Sequence, residues 1–207
     1  MKENLKILIR AILAGVMISI GGTIYLALEN KMLGAFLFSI GLFSICVNGY
    51  NLYTGKIGYL FDNRPKYLIE LLFTLVGNAI GTIMCGYLLS VSRIGTKLKD
   101  AASIICNTKL NDDLLSIFIL SIFCGIIMYL AVDIYKKVEG FGRYVGIFMG
   151  ITVFILAGFE HCVANMYYFS AANMWTWKTV LYVLVMVLGN SVGSILIALG
   201  NKFGLKK

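Results

Sequence analysis

Residues 76–84 read VGNAIGTIM, and residues 188–196 read LGNSVGSIL. Each copy runs Gly-Asn-small-aliphatic-Gly, and the leading glycines stand 189 − 77 = 112 positions apart. In an apolar run, Gly77, Gly81, Gly189 and Gly193 suit close helix approach, while Asn78 and Asn190 suit hydrogen bonds to a neighbour inside a membrane. The bland alternative is that two Gly-Asn pairs coincide in a chain of 22 glycines.

The rest of the chain supports a membrane setting. It is 59% hydrophobic and 14% charged over 207 residues, with one proline and a mean hydropathy of +0.87. A water-soluble domain of this size cannot hide that much apolar surface. A helical span needs about 20 apolar residues. Uncharged runs of that kind cover Ala11–Leu28, Met32–Gly55, Leu71–Ser92, Leu114–Val132 and Thr179–Asn201, and a sixth from Tyr144 to Trp177 is broken by Glu160 and His161. The fold class is therefore all-α: a polytopic membrane protein of six transmembrane helices forming one domain over residues 1–207. The first span follows basic residues but lacks a cleavage signal, so it reads as a retained helix.

Basic residues give the orientation. With both termini in the cytoplasm, Lys2, Lys6, Arg10, Arg64, Lys66, Lys136, Lys137, Arg143, Lys202, Lys206 and Lys207 fall inside, eleven in all. Six, Lys31, Arg93, Lys97, Lys99, Lys109 and Lys178, fall outside. This bias predicts cytoplasmic termini in a cell (inner) membrane, and it draws anionic lipid and solutes to the inner face. No aromatic-studded basic patch points to nucleic acid. The five cysteines are scattered, so no metal or disulfide framework is expected. Four read as buried hydrophobes, and Cys106, in the outer loop, as a potential free thiol.

Three spans per half make the duplication an inverted 3+3 repeat, about 8–92 and 114–201, an architecture whose transport sites lie at the midplane on broken helices. Spans two and five should then carry equivalent interruptions. Span two contains VNGYNLYTGKIGYL (47–60) and span five AGFEHCVAN (157–165). Thr54 and His161, the chain's single histidine, are 161 − 54 = 107 positions apart, close to the Gly-Asn offset. Unwound backbone at membrane depth is tolerated only where it is buried or lines a cavity.

ILAGVMISIGGTIYL in span one, GLFSICVNGYNLYTG in span two and GFEHCVANMYYF in span five resemble the signatures of the formate/nitrite transporter family. The resemblance runs over nearly the whole chain. It implies a homopentamer of aquaporin-like protomers with broken helices 2 and 5, one pore each, passing small monovalent anions such as formate, nitrite or hydrosulfide. By the same resemblance the pore centre is His161 and Thr54, with Asn165 closing the span-five motif. Leu42, Leu52 and Phe154 form one hydrophobic constriction, and Phe38 and Tyr53 the other. Glu160 pairs with Lys109, for which a solvated loop lysine is the plain alternative. Two departures stand out: the family's span-four asparagine is missing, with Gly125 nearest its position, and Lys56 replaces a small or polar residue. Lys56 either adds a titratable cation to the pore centre or snorkels to the cytoplasmic face.

The expected mechanism is proton-linked. A bare anion cannot cross two apolar constrictions, so it takes a proton directly or through water held by His161 and Thr54, an imidazole suited to that exchange. Structural alternatives are a helix-gluing histidine and a threonine bonded to its own helix. Two other functions compete: a shifted selectivity toward ammonia or ammonium, and an intramembrane hydrolase using GNSVG (189–193). The hydrolase motif needs a strand-to-helix turn, and the repeat mate carries Ala79 in place of the nucleophile. No cofactor is expected; the partners are the anion, protons and lipid. The short stretch ahead of the first span favours an open channel over a gated one.

Overall fold

The computed structural model describes residues 2–204, so Lys206 and Lys207 of the charge count lie outside the described residues. The fold is all-helical. Its helices are α1 (Lys2–Ala27), α2 (Lys31–Phe38), α3 (Ile40–Asn48), α4 (Tyr53–Lys56), α5 (Tyr67–Ser90), α6 (Gly95–Leu110), α7 (Leu114–Lys137), α8 (Gly142–Leu156), α9 (Cys162–Ala171) and α10 (Trp177–Gly204), with a 3₁₀ segment at Ile57–Asp62 after α4. Helices α1, α5, α7 and α10 run 24 to 28 residues, which at 1.5 Å per residue exceeds the roughly 30 Å hydrocarbon layer. The α2–α3 unit is also long and apolar enough to cross. The remaining span is split between α8 and α9.

The Gly-Asn signatures weld helices in pairs. Along α1 and α5, a Cβ built on Gly81 would overlap the Ile12 carbonyl oxygen; along α7 and α10, one on Gly193 would overlap that of Ile122. Only hydrogen fits at either place. Gly77 and Gly189 make the same close approach to Ala11 and to Ser121.

Spans two and five break in the same way. α3 ends at Gly49 (φ +66°), and α8 is followed by Gly158 (φ +72°), both left-handed. The next N–H then turns back: Tyr50 donates to the Ile45 carbonyl (2.9 Å) and Phe159 to that of Phe154 (3.0 Å). This is the helix-stop geometry that glycine adopts at no steric cost. The chain runs extended for a few residues and restarts at the N-caps Leu52 and His161. Both offsets are 109 positions (158 − 49 and 161 − 52). The 107-residue spacing therefore does not mark repeat mates: the structural mate of His161 is Leu52, and that of Thr54 is Val163.

Each break is held by one asparagine. Asn78 Nδ2 donates to the carbonyls of Ala11 and Asn51, both at 2.8 Å, and its Oδ1 accepts from the Tyr53 N–H at 2.8 Å. Asn190 Nδ2 donates to Ser121 and Glu160 carbonyls, both at 2.8 Å, and its Oδ1 accepts from the Cys162 N–H at 2.9 Å. Backbone groups freed by a break have no water to turn to in a membrane; these two side chains supply the missing partners.

The segment between spans three and four is a helix and not an open loop. Leu98, Ala102 and Cys106 recur every fourth residue on its buried face. Cys106 is fully buried, and burial pushes its thiol up to about 12. Cys106 is a free thiol, but it sits on the buried face of a helix and not in an open loop, because α6 lies against the bundle.

Asn190→Ala should leave the Cys162 N–H and the Glu160 carbonyl unpaired in a dry interior, about 1–3 kcal/mol each. Thermal unfolding of the detergent-solubilised protein should shift down by several degrees or more. Asn78→Ala should shift it comparably, and an unshifted curve for both would mean the breaks hold without their clamps.

Candidate functional site

The restart of α9 carries the chemistry. His161, 1% exposed, is the N-cap residue of α9, and its Nδ1 accepts from the Ala164 N–H at 3.1 Å. An accepting nitrogen holds a lone pair, so the ring proton of the neutral imidazole lies on Nε2. Nε2 meets Thr54 Oγ1 at 2.8 Å. With Nε2 donating, the Thr54 hydroxyl keeps its own hydrogen for another acceptor. An imidazolium has no lone pair left for the Ala164 cap bond, so a second proton on the ring is incompatible with this geometry. Thr54 is fully buried, and its hydroxyl bonds the imidazole, not its own helix. Histidine orientation thus needs no span-four asparagine. Gly125 instead lets α7 approach α10, since a Cβ there would overlap the Asn190 carbonyl oxygen.

Glu160 is 4% exposed and held from two sides. Lys109 Nζ, from the last turn of α6, reaches Oε1 at 2.7 Å and Oε2 at 2.6 Å. Asn165 Nδ2 donates to Oε2 at 2.8 Å and to the His161 carbonyl at 2.9 Å. Lys109 is therefore an ion-pair partner and not a solvated loop lysine. Asn165 Oδ1 is buried without a hydrogen-bond partner. It is an acceptor waiting for a donor, such as a water.

Two cavities approach this pair. One, of about 150 Å³, is lined by His161, Asn165, Lys109, Phe154, Tyr25 and Tyr168 among others. The other, of about 370 Å³, is lined by Arg10, Asn51, Leu52, Gly55, Lys56 and Lys136 among others. Lys56 therefore shares its cavity with Leu52 and not with His161, and it stands apart from the pore-centre group assigned to it from sequence. Its Nζ lies 5.9 Å from the Tyr67 ring centre.

The aromatic and aliphatic residues regroup. Phe154 meets Phe38 edge-on, with ring centres 6.2 Å apart, and stands 5.6 Å from the His161 ring. Phe154 lines the smaller cavity, whereas Leu52 lines the larger. The sequence grouping of Leu42, Leu52 and Phe154 against Phe38 and Tyr53 is thus split: Phe38 goes with Phe154. Leu42 is fully buried, and the Tyr53 hydroxyl is tied to Ser191 Oγ at 2.9 Å. Ser191 itself donates to the Val187 carbonyl at 2.5 Å, in the middle of α10. A nucleophile elbow is a strand-to-helix turn with an exposed Oγ beside a base; here the serine is in a helix and the histidine bonds threonine. Arg143, read as an orientation charge, caps the Tyr135 carbonyl at the end of α7 (2.8 Å).

Among the described residues, no three metal-ligating side chains come together. Sequence reading missed the unpartnered Asn165 acceptor and the role of Leu52 as the mate of His161. Only the 109-residue glycine offset could have revealed the second.

The sequence and the fold have known counterparts. The family model described as formate/nitrite transporter matches residues 1–202. The formate-nitrite transporter of Plasmodium vivax is 27% identical over 237 residues, which cover 94% of this chain and 75% of that protein. A probable formate transporter of Methanothermobacter thermautotrophicus is 25% identical over 230 residues, covering 91% and 84%. Among solved structures, a pentameric formate channel with formate bound superposes with a TM-score of 0.81 at 23% identity, covering 99% of this chain and 97% of that one. With the family model spanning nearly its whole length and its fold matching in full, the chain is a multi-pass membrane protein and belongs to the formate/nitrite transporter family.

Proposed function

We propose that this protein conducts small monovalent anions of weak acids, formate, nitrite or hydrosulfide among them, through a pore in each protomer of a homopentamer. In this reading the whole chain is a single transmembrane domain of two inverted repeats, near 8–92 and 114–201, with both termini on the cytoplasmic side of the plasma membrane. The observation that carries it is the Thr54–His161 pair: His161 lines the smaller cavity, and Leu52 and Gly55, close to Thr54 in the chain, line the larger.

Leaving water for the bilayer centre costs a bare anion several kcal/mol. Leu52 on one side, and Phe38 with Phe154 on the other, are apolar groups that offer nothing in exchange. The anion enters a vestibule, hydrogen-bonds the Thr54 hydroxyl, takes its proton from hydronium in the vestibule water, and passes the apolar residues as its neutral acid. His161 acts through Thr54: its Nε2–H polarises the hydroxyl, while the cap bond at Nδ1 holds the ring. Lys109, Glu160 and Asn165 fix the shape of the outer break, and their mutual bonds make them positioning groups. Gly77, Asn78, Gly81, Gly189, Asn190 and Gly193 carry the helix packing around the pore.

In proteoliposomes, uptake of formate, nitrite or hydrosulfide should rise as the external pH falls, since the crossing species is the acid. Thr54→Val keeps shape and loses the hydroxyl. A hydrogen bond to a charged group is worth about 1.5–3 kcal/mol, so uptake should fall roughly 10- to 100-fold. Flux of none of these anions, with ammonia passing instead, would replace the anion reading by a neutral-solute one.

Lys109→Met strands a buried carboxylate, which costs about 3–5 kcal/mol. The Lys109→Met, Glu160→Gln double variant should recover much of that stability in the same unfolding assay. Additive losses would mean that the two side chains act independently.

A further inference from the structure

The two breaks differ in charge more than their backbones do. The 109-residue offset pairs Glu160 with Asn51 and Asn165 with Lys56. In the outer break a carboxylate receives Lys109 and Asn165. In the inner one Asn51 stands in the carboxylate's place, with its amide donating to the Ile7 carbonyl at 3.3 Å. Lys56 therefore has no counter-ion within the break. It shares the 370 Å³ cavity with Arg10 and Lys136, and the lining of that cavity includes no aspartate or glutamate. None of the three cations forms an ion pair among the described residues.

The neighbouring acids on this face leave the three cations unpaired. Glu70 acts on Lys56 through its field but makes no ion pair with it. Asp133 carries Lys137 at 2.7 Å and the Tyr59 hydroxyl at 3.0 Å, and Asp62 carries Lys202 at 2.6 Å. The cations themselves are positioned. The Arg10 carbonyl accepts from the Asn51 N–H at 3.2 Å, tying its backbone to the break. Lys136 Nζ sits 3.8 Å from the Tyr59 ring centre.

We infer that this vestibule is a binding site for a polyvalent oxyanion of the phosphate or diphosphate class, which occupies the mouth without crossing. The inference rests on reading the cavity as the inner mouth of the pore. Its volume falls within the range of small-molecule sites, about 300–1,000 Å³, and three unpaired cations exceed what a monovalent anion needs. One proton neutralises formate or hydrosulfide, but a divalent anion keeps charge after taking one. The apolar Leu52 at the cavity wall then bars it. An occupant of this kind plugs the pore from the side where phosphate compounds meet it, and competes there with the permeant anion.

The test is calorimetric titration of the full-length protein in nanodiscs of zwitterionic lipid with inorganic pyrophosphate at constant ionic strength, alongside pyrophosphate inhibition of anion flux. Saturable binding should weaken at least tenfold in Arg10→Gln, Lys136→Gln, while Lys136→Arg should bind like wild type, which separates charge from folding. Discs with phosphatidate, a phosphomonoester lipid, compared with discs of phosphatidylglycerol, which carries a single charge and controls for surface potential, distinguish the source: an apparent Kd raised further by phosphatidate means that a lipid headgroup takes the site, and equal values that the site serves free phosphate compounds. Absence of binding, or equal binding by the double variant, overturns the inference. Pyrophosphate binding without any anion flux would leave the site standing and remove the channel reading instead; flux without binding does the reverse.

Discussion

Interrupting a helix inside a bilayer strips backbone groups of partners where no water replaces them. Everything in this fold answers that constraint. Asn78 and Asn190 each give one donor and one acceptor to the broken stretch of backbone beside them, and a second donor to a carbonyl of the neighbouring helix, Ala11 on α1 or Ser121 on α7. An amide is the smallest side chain that does both at once without a charge. The asparagines reach the breaks because glycines at Gly81 and Gly193 bring α1 to α5 and α7 to α10 at backbone contact. A larger residue would hold the clamp away from its targets.

With the breaks secured, the chain can place polar atoms at membrane depth. The two halves use that freedom differently. The break between α8 and α9 is an ionic network in which Lys109, Glu160 and Asn165 hold one another, and in which His161 is fixed by the first turn of its own helix. The break between α3 and α4 has no such network: Lys56 shares with Arg10 and Lys136 a cavity whose lining includes no aspartate or glutamate. A pseudo-symmetric backbone thus supports an asymmetric field. Buried ion pairs cost desolvation and repay it through geometry, whereas cations without an ion-pair partner project their field into the cavity they line.

The threonine–histidine contact links the halves. Thr54 comes from the break after α3 and His161 from the break after α8, so their hydrogen bond joins the two. Its polarity is dictated by a backbone N–H three residues along the chain. The tautomer of this buried imidazole is therefore a property of helix capping, and the Thr54 hydroxyl beside it keeps its own hydrogen for another acceptor.

Composition, the six apolar runs, the Gly-Asn signatures and the polar interruptions were legible in the sequence alone, because span length, small-residue contacts and helix stops are written in local pattern. So were the identities of Thr54, His161, Glu160 and Lys109, through their motifs. Tertiary structure alone decided the register. It made Leu52 and not Thr54 the mate of His161, joined Phe38 to Phe154, placed Lys56 in the larger cavity and folded the supposed loop around Cys106 into a buried-faced helix. The physical reason is that a hydrogen bond or ring contact requires a position and a direction in space. These are set by how far each helix slides and turns against its neighbours, which a one-dimensional spacing records only to within a residue or two.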